Sequence, residues 1–153
     1  MRAPQRHRIV CEMEDDRLPH VLPGPGFRWM VLRRDGRRPL AVMARALLQA
    51  NNRCAGLPYW SEIGIHETAA GRFASNLSHA APGATGPTWS DTWLCDSAEA
   101  VRAQFLAHDP LVAVSSAGLS GDIRAIQRFR GAWSGLLAAM FGMPHQQPRQ
   151  PAT

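Results

Sequence analysis

The strongest constraint in this chain is a pair of alternating apolar segments on either side of Ala69-Ala70-Gly71. Three residues ending in glycine close a hairpin well. A type I turn finished by a left-handed residue has that length, and glycine enters that region without steric cost. With Thr68 opposite Arg72, the pairs are Glu67 with Phe73, Ile65 with Ser75 and Ile63 with Leu77. One face then carries Ile63, Ile65, Phe73 and Leu77. The other carries Glu62, Gly64, His66, Thr68, Arg72, Ala74, Asn76 and Ser78. A slip of one residue would scatter the large apolar groups over both faces. The expectation is a dry face and a wet one, with His66 turned to water.

A second hairpin is expected around Asp35-Gly36, a strong two-residue signal for a type I′ turn, which needs positive φ at both central positions. That turn sets Val31 opposite Leu40, Trp29 opposite Val42 and Phe27 opposite Ala44, with all six on one face. The returning segment, residues 39–48, has a rival reading. Leu40, Met43, Ala44, Leu47 and Leu48 also fit helical spacing, and Pro39 suits a first turn. The agreement across the turn favours strand.

Further along, residues 88–95 read as a strand. Asp96 and Glu99 form a capping box for a helix whose stripe is Ala98, Val101 and Phe105. Asp109-Pro110 ends that helix, and Leu111 to Val114 is a short strand. A last helix begins near Ser120 and Asp122 and runs to about Phe141, with Ile126, Phe129, Trp133, Leu136, Leu137 and Met140 along one side. The class is α+β: an antiparallel meander of about four strands with two α-helices packed on it. Residues 1–26, with the acidic run Glu12-Met13-Glu14-Asp15-Asp16 and a Pro-Gly repeat, read as a flexible arm. Residues 27–143 read as a single domain, and the Pro/Gln-rich residues 144–153 as a disordered tail.

Composition narrows the class of protein further. The chain has 153 residues, enough to bury roughly two thirds of its unfolded surface in one core. No segment approaches the ~18 uninterrupted apolar residues of a membrane span. The first residues carry charge without an apolar run behind them, which argues against a secretory signal. Cys11, Cys54 and Cys95 are odd in number and widely spaced, as suits a reducing cytoplasm. All 17 basic residues are arginine, which points to a GC-rich genome. Their placement is more informative. Residues 1–53 hold eleven arginines against five acids, and residues 54–153 hold six against seven.

Four groups of residues could carry chemistry. His66, Glu67, His79, Cys54 and Cys95 lack the close ligand pairs of a zinc site, and strand neighbours such as His66 and Glu67 point to opposite faces. No metal or cofactor is expected. Cys95, just before a helix, could be a thiolate nucleophile with His79 as its base if folding brings them together. Arg33, Arg34, Arg37 and Arg38 crowd one turn, with Arg28 and Arg45 close in the chain. Such a tip can clamp phosphates or an acidic protein. On the last helix Arg124, Arg128, Gly131 and Gly135 share a face through which two copies could pair. The five tryptophans belong mostly to the core, although Tyr59-Trp60 and the Trp89/Trp93 pair could line a pocket or stack on bases.

Asp35-Gly-Arg-Arg-Pro-Leu, Trp60-Ser-Glu, Thr68-x-x-Gly-Arg-Phe73 and Cys95-Asp-Ser-x-Glu-Ala-Val101 resemble segments of small uncharacterised proteins carried on bacterial plasmids and other mobile elements. The resemblance covers residues 30–105 and marks turns and a cap. It implies the meander and no particular chemistry. The reading is therefore a non-enzymatic accessory protein of the bacterial cytoplasm. It would bind nucleic acid or an acidic partner through Arg28, Arg33, Arg34, Arg37, Arg38 and Arg45, without contact to a membrane. A Cys95/His79 enzyme and a module dimerising through the last helix are the alternatives.

Overall fold

The computed structural model describes residues 12–13, 26–114 and 122–142. Its strands are β1 (Glu12–Met13), β2 (Arg28–Leu32), β3 (Leu40–Asn51), β4 (Trp60–Thr68), β5 (Phe73–Ala80) and β6 (Trp89–Cys95). Its helices are α1 (Ala98–Ala107), α2 (Pro110–Ala113) and α3 (Ile123–Phe141). The α+β class holds, with five antiparallel strands, β2 to β6, in place of about four. The two-residue β1 adds a short parallel pairing at Leu40 and Ala41, so part of the acidic run joins the sheet. Most of residues 1–26 and all of 144–153 lie outside the described residues, as does Ser120.

The β4–β5 hairpin has the expected register, with Glu67 opposite Phe73, Ile65 opposite Ser75 and Ile63 opposite Leu77. Gly71 takes φ 82°, and its N–H donates to the Thr68 carbonyl at 3.0 Å, closing the three-residue turn. Ile63 and Leu77 pack with Cys95, Val101, Phe105, Trp133, Leu136 and Leu137, so this face of the sheet carries α1 and α3.

The opposite face is not wet. Gly64, His66, Thr68 and Ala74 are buried there. The sheet curls until the loop after β2 touches β6, where Thr92 Oγ1 donates to the Arg33 carbonyl at 2.9 Å. Inside the curl, Leu40, Val42 and Ala44 form a second core with Met30, Leu32 and Leu94. His66 is enclosed beside it, and its Nδ1–H donates to the Ala74 carbonyl at 3.3 Å. Gly64 makes room for that ring, since a Cβ there would come within 2.9 Å of His66 Cε1.

The first hairpin departs from expectation in register. Leu32 pairs with Leu40, Met30 with Val42 and Arg28 with Ala44, one residue away from the two-residue turn. Gly36 has φ 63°, but no residue other than glycine has positive φ among the described residues, so Asp35-Gly36 is not a type I′ turn. A seven-residue connection replaces it, and Arg37 N–H reaches back to the Arg34 carbonyl at 3.4 Å. Met30 and Leu32 therefore turn inwards, while Trp29 and Val31 turn out.

Residues 39–48 are strand, as favoured, and β3 carries a bulge between Ala46 and Leu48. Before the bulge the even-numbered residues face the curl. After it Leu48 and Ala50 pair with Ile65 and Ile63, on the helix-bearing side. An extra residue in the strand flips the alternation.

Smaller departures follow local chemistry. Ser97 rather than Asp96 caps α1, accepting from Ala100 N–H at 3.1 Å, and Asp96 instead pairs with Arg72 at 2.7 Å. Glu99 therefore falls outside a capping box, and Ala98 is exposed. Residues 111–114 are not a strand. Asp109 caps them into the helical turn α2, with Pro110 at its start. Asp122 caps α3, whose buried side is Ala125, Phe129, Trp133, Leu136 and Leu137.

Candidate nucleic-acid interface

The basic loop between β2 and β3 is held in place by its own groups and by β6. Arg34 Nε donates to the Arg38 carbonyl at 2.8 Å, bracing the loop across its base. Arg37 extends to β6, pairing with Asp91 at 2.9 Å and donating to the Thr92 carbonyl at 3.3 Å. Thr92 in turn holds the Arg33 carbonyl and accepts from Asn76 Nδ2 at 2.9 Å, which ties the loop into the interior of the sheet. A loop fixed this way presents its outward side chains with little ordering left to do on binding.

The six arginines expected to act together divide into two sets. Arg45 donates to Glu67 at 2.7 Å, and its guanidinium lies 5.1 Å from the centre of the Phe27 ring. Arg37 and Arg34 serve the loop itself. Arg28, Arg33 and Arg38 are exposed and, among the described residues, no carboxylate pairs with them. Arg33 and Arg38 define the basic surface that the loop leaves open to a ligand, while Arg28 stands at the other end of β2, opposite Ala44. Beside it Trp29 and Val31 stand exposed, an apolar neighbourhood that the sequence placed in the core.

The other candidate groups are differently placed. Cys95 stands opposite Phe73 and His79 opposite Trp89, six residues apart along β5, or about 20 Å. They are not brought together. Burial pushes the Cys95 thiol up from its ordinary pKa, outweighing the smaller downward pulls of the Ser75 hydroxyl and Arg72. That is the reverse of an activated thiolate. Among the described residues no three His, Cys, Asp or Glu side chains gather where they could hold a metal ion. On α3, Arg124, Arg128 and Gly131 are exposed and Gly135 is half-buried.

His79 belongs to a cluster that sequence reading missed. It is fully buried, with Nδ1 2.8 Å from Ser61 Oγ and Nε2 3.1 Å from His108 Nε2. The two imidazole centroids are 5.3 Å apart with planes inclined by 20°. So short a nitrogen contact against that separation means the rings meet nitrogen to nitrogen, one donating and the other accepting. Trp89, Trp93 and Trp133 surround the pair. Burial, and secondarily His108, lower the His79 pKa to about 3, and burial lowers that of His108. Both imidazoles are thus neutral at neutral pH. With Ser61 and His79 closed off from solvent, the chain of hydrogen bonds ties β4 and β5 to the end of α1. Only the alternation of β5, which puts His79 on the face of Leu77, could have signalled it.

Comparison with protein-family models, with curated proteins and with solved structures finds no match to this chain. Among the described residues no helix is long and apolar enough to cross a membrane.

Proposed function

We propose that this chain is a small nucleic-acid-binding accessory protein of the bacterial cytoplasm, acting by contact rather than by catalysis. Its contact surface is centred on Arg33 and Arg38, with Arg34 and Arg37 shaping the loop that presents them and Arg28 exposed at the other end of β2. The observation that carries the reading is the exposed Arg33 and Arg38 on a loop anchored to β6. Guanidinium groups suit phosphate oxygens, because their planar fork of N–H donors matches the anion's geometry. Arg45, neutralised by Glu67, contributes less.

The test is fluorescence anisotropy of the full chain with labelled DNA and RNA at several salt concentrations, beside a variant carrying Arg28→Ala, Arg33→Ala and Arg38→Ala. Binding should weaken steeply with salt, and the slope should drop by about one unit per phosphate contact removed. The melting temperature should stay nearly constant, since exposed side chains are exchanged. Unaltered binding in the variant rejects the surface. Arginine-dependent binding to an acidic protein, without binding to nucleic acid, moves the surface to that kind of partner.

A further inference from the structure

The outer side of β2 pairs an exposed indole with the cations. Trp29 is 55% exposed and Val31 58%. Both lie on the face opposite Met30 and Leu32, which enter the inner core. Arg28, the chain neighbour of Trp29, lies on the inward alternation opposite Ala44, whereas Arg33 follows Val31 just past the end of β2. Positions 29 and 31 thus lie about 7 Å apart along β2, and Arg33 opens the loop just beyond them. An indole left in water on a strand that leads into a basic loop is a contact surface more than a packing residue, because its large apolar faces gain only when something covers them.

We propose that Trp29, with Val31 beside it, is a stacking platform for an unpaired base, which makes single-stranded nucleic acid the ligand of the arginine surface. The inference rests on the nucleic-acid reading above and names the form of nucleic acid. A duplex buries its base faces in its own stack and offers the indole nothing. A single strand offers a π-face with every base and a phosphate beside it, so Trp29 and the cations at Arg33 and Arg38 engage neighbouring parts of one ligand. A second copy of this chain fits less well. A two-fold contact through Trp29 would bring the arginines that flank it on both copies together, and like charges across an interface are costly.

The experiment measures the full chain against a labelled oligothymidylate and a duplex of equal length, by anisotropy. Single-strand binding should exceed duplex binding. Trp29→Ala should weaken the single-strand complex about tenfold or more while leaving duplex affinity and the salt slope unchanged, and Trp29→Phe should restore most of the loss. If Trp29→Ala leaves single-strand binding intact, or weakens both ligands alike, the platform is overturned while the arginine surface stands. If the wild-type chain binds neither ligand, or if Arg33→Ala and Arg38→Ala change neither affinity, the nucleic-acid reading itself fails.

Discussion

The two hairpins of this sheet were read by the same rules, and only one closed as the rules required. Around Ala69-Ala70-Gly71 the large apolar residues occupy one alternation only, so burial and turn geometry select the same register. Around Asp35-Gly36 both alternations are apolar: Phe27, Trp29 and Val31 on one, Met30 and Leu32 on the other. Burial could not choose between them, and the choice passed to the turn. The turn is not the two-residue type, because its arginines are drawn to β6 by Asp91 and Thr92. The lesson is that a dipeptide turn signal decides register only where the flanking pattern leaves one answer.

The sharpest way to break this comparison is to cut the core of the well-specified hairpin. Leu77→Ala, at a fully buried position, should cost about 2–5 kcal/mol in urea unfolding, from lost transfer energy and the cavity left behind. Acid should attack the same hairpin. The folded-state pKa of His79, about 3, lies below the ordinary 6.5 of the unfolded chain, so the unfolded state takes up the proton first. Its contribution is therefore fully present above about pH 6.5 and declines as pH falls towards 3, at about 1.4 kcal/mol per pH unit. His66 and His108, also lowered by burial, act in the same direction. Stability profiles from pH 7 to 4 should slope downwards, and His79→Gln should flatten them.

Smaller effects compare the turns themselves. Gly71→Ala and Gly36→Ala both force a side chain into the left-handed region, at φ 82° and 63°, and each should cost about 1–2 kcal/mol. Thr92→Val removes the hydroxyl that holds the Arg33 carbonyl and accepts from Asn76, and should cost about 1 kcal/mol and loosen the basic loop. Amide exchange in residues 33–38 would register the loosening. The smallest effect should belong to Trp29→Ala, within about 0.5 kcal/mol, as fits a side chain facing solvent. A loss of several kcal/mol there would return Trp29 to the core and restore the two-residue turn.

Legibility failed at particular residues for particular reasons. Residues 39–48 show both a strand and a helix pattern because the bulge between Ala46 and Leu48 inserts one residue into the alternation, leaving Leu47 and Leu48 adjacent as on a helix face. His66 was read as wet because polar residues surround it in the chain. The face it occupies is shared with Ala46, its partner on β3, and with the core of Leu40, Val42 and Ala44, all twenty or more positions away. The arginine cluster was legible as a cluster. Its division was not, since Glu67 and Asp91, which engage Arg45 and Arg37, lie 22 and 54 positions along the chain.

Local order fixes what neighbours in the chain can settle: the Gly71 turn, the Asp122 cap and buried stripe of α3 and the crowding of positive charge near one end. The curl of the sheet joins residues that no local pattern links, because covering the second face of a sheet is a contest over apolar area decided among distant strands. The curl enclosed His66, the loop held to β6 set the register that turned Trp29 outwards, and the packing of α1 on the other face set His79 against His108.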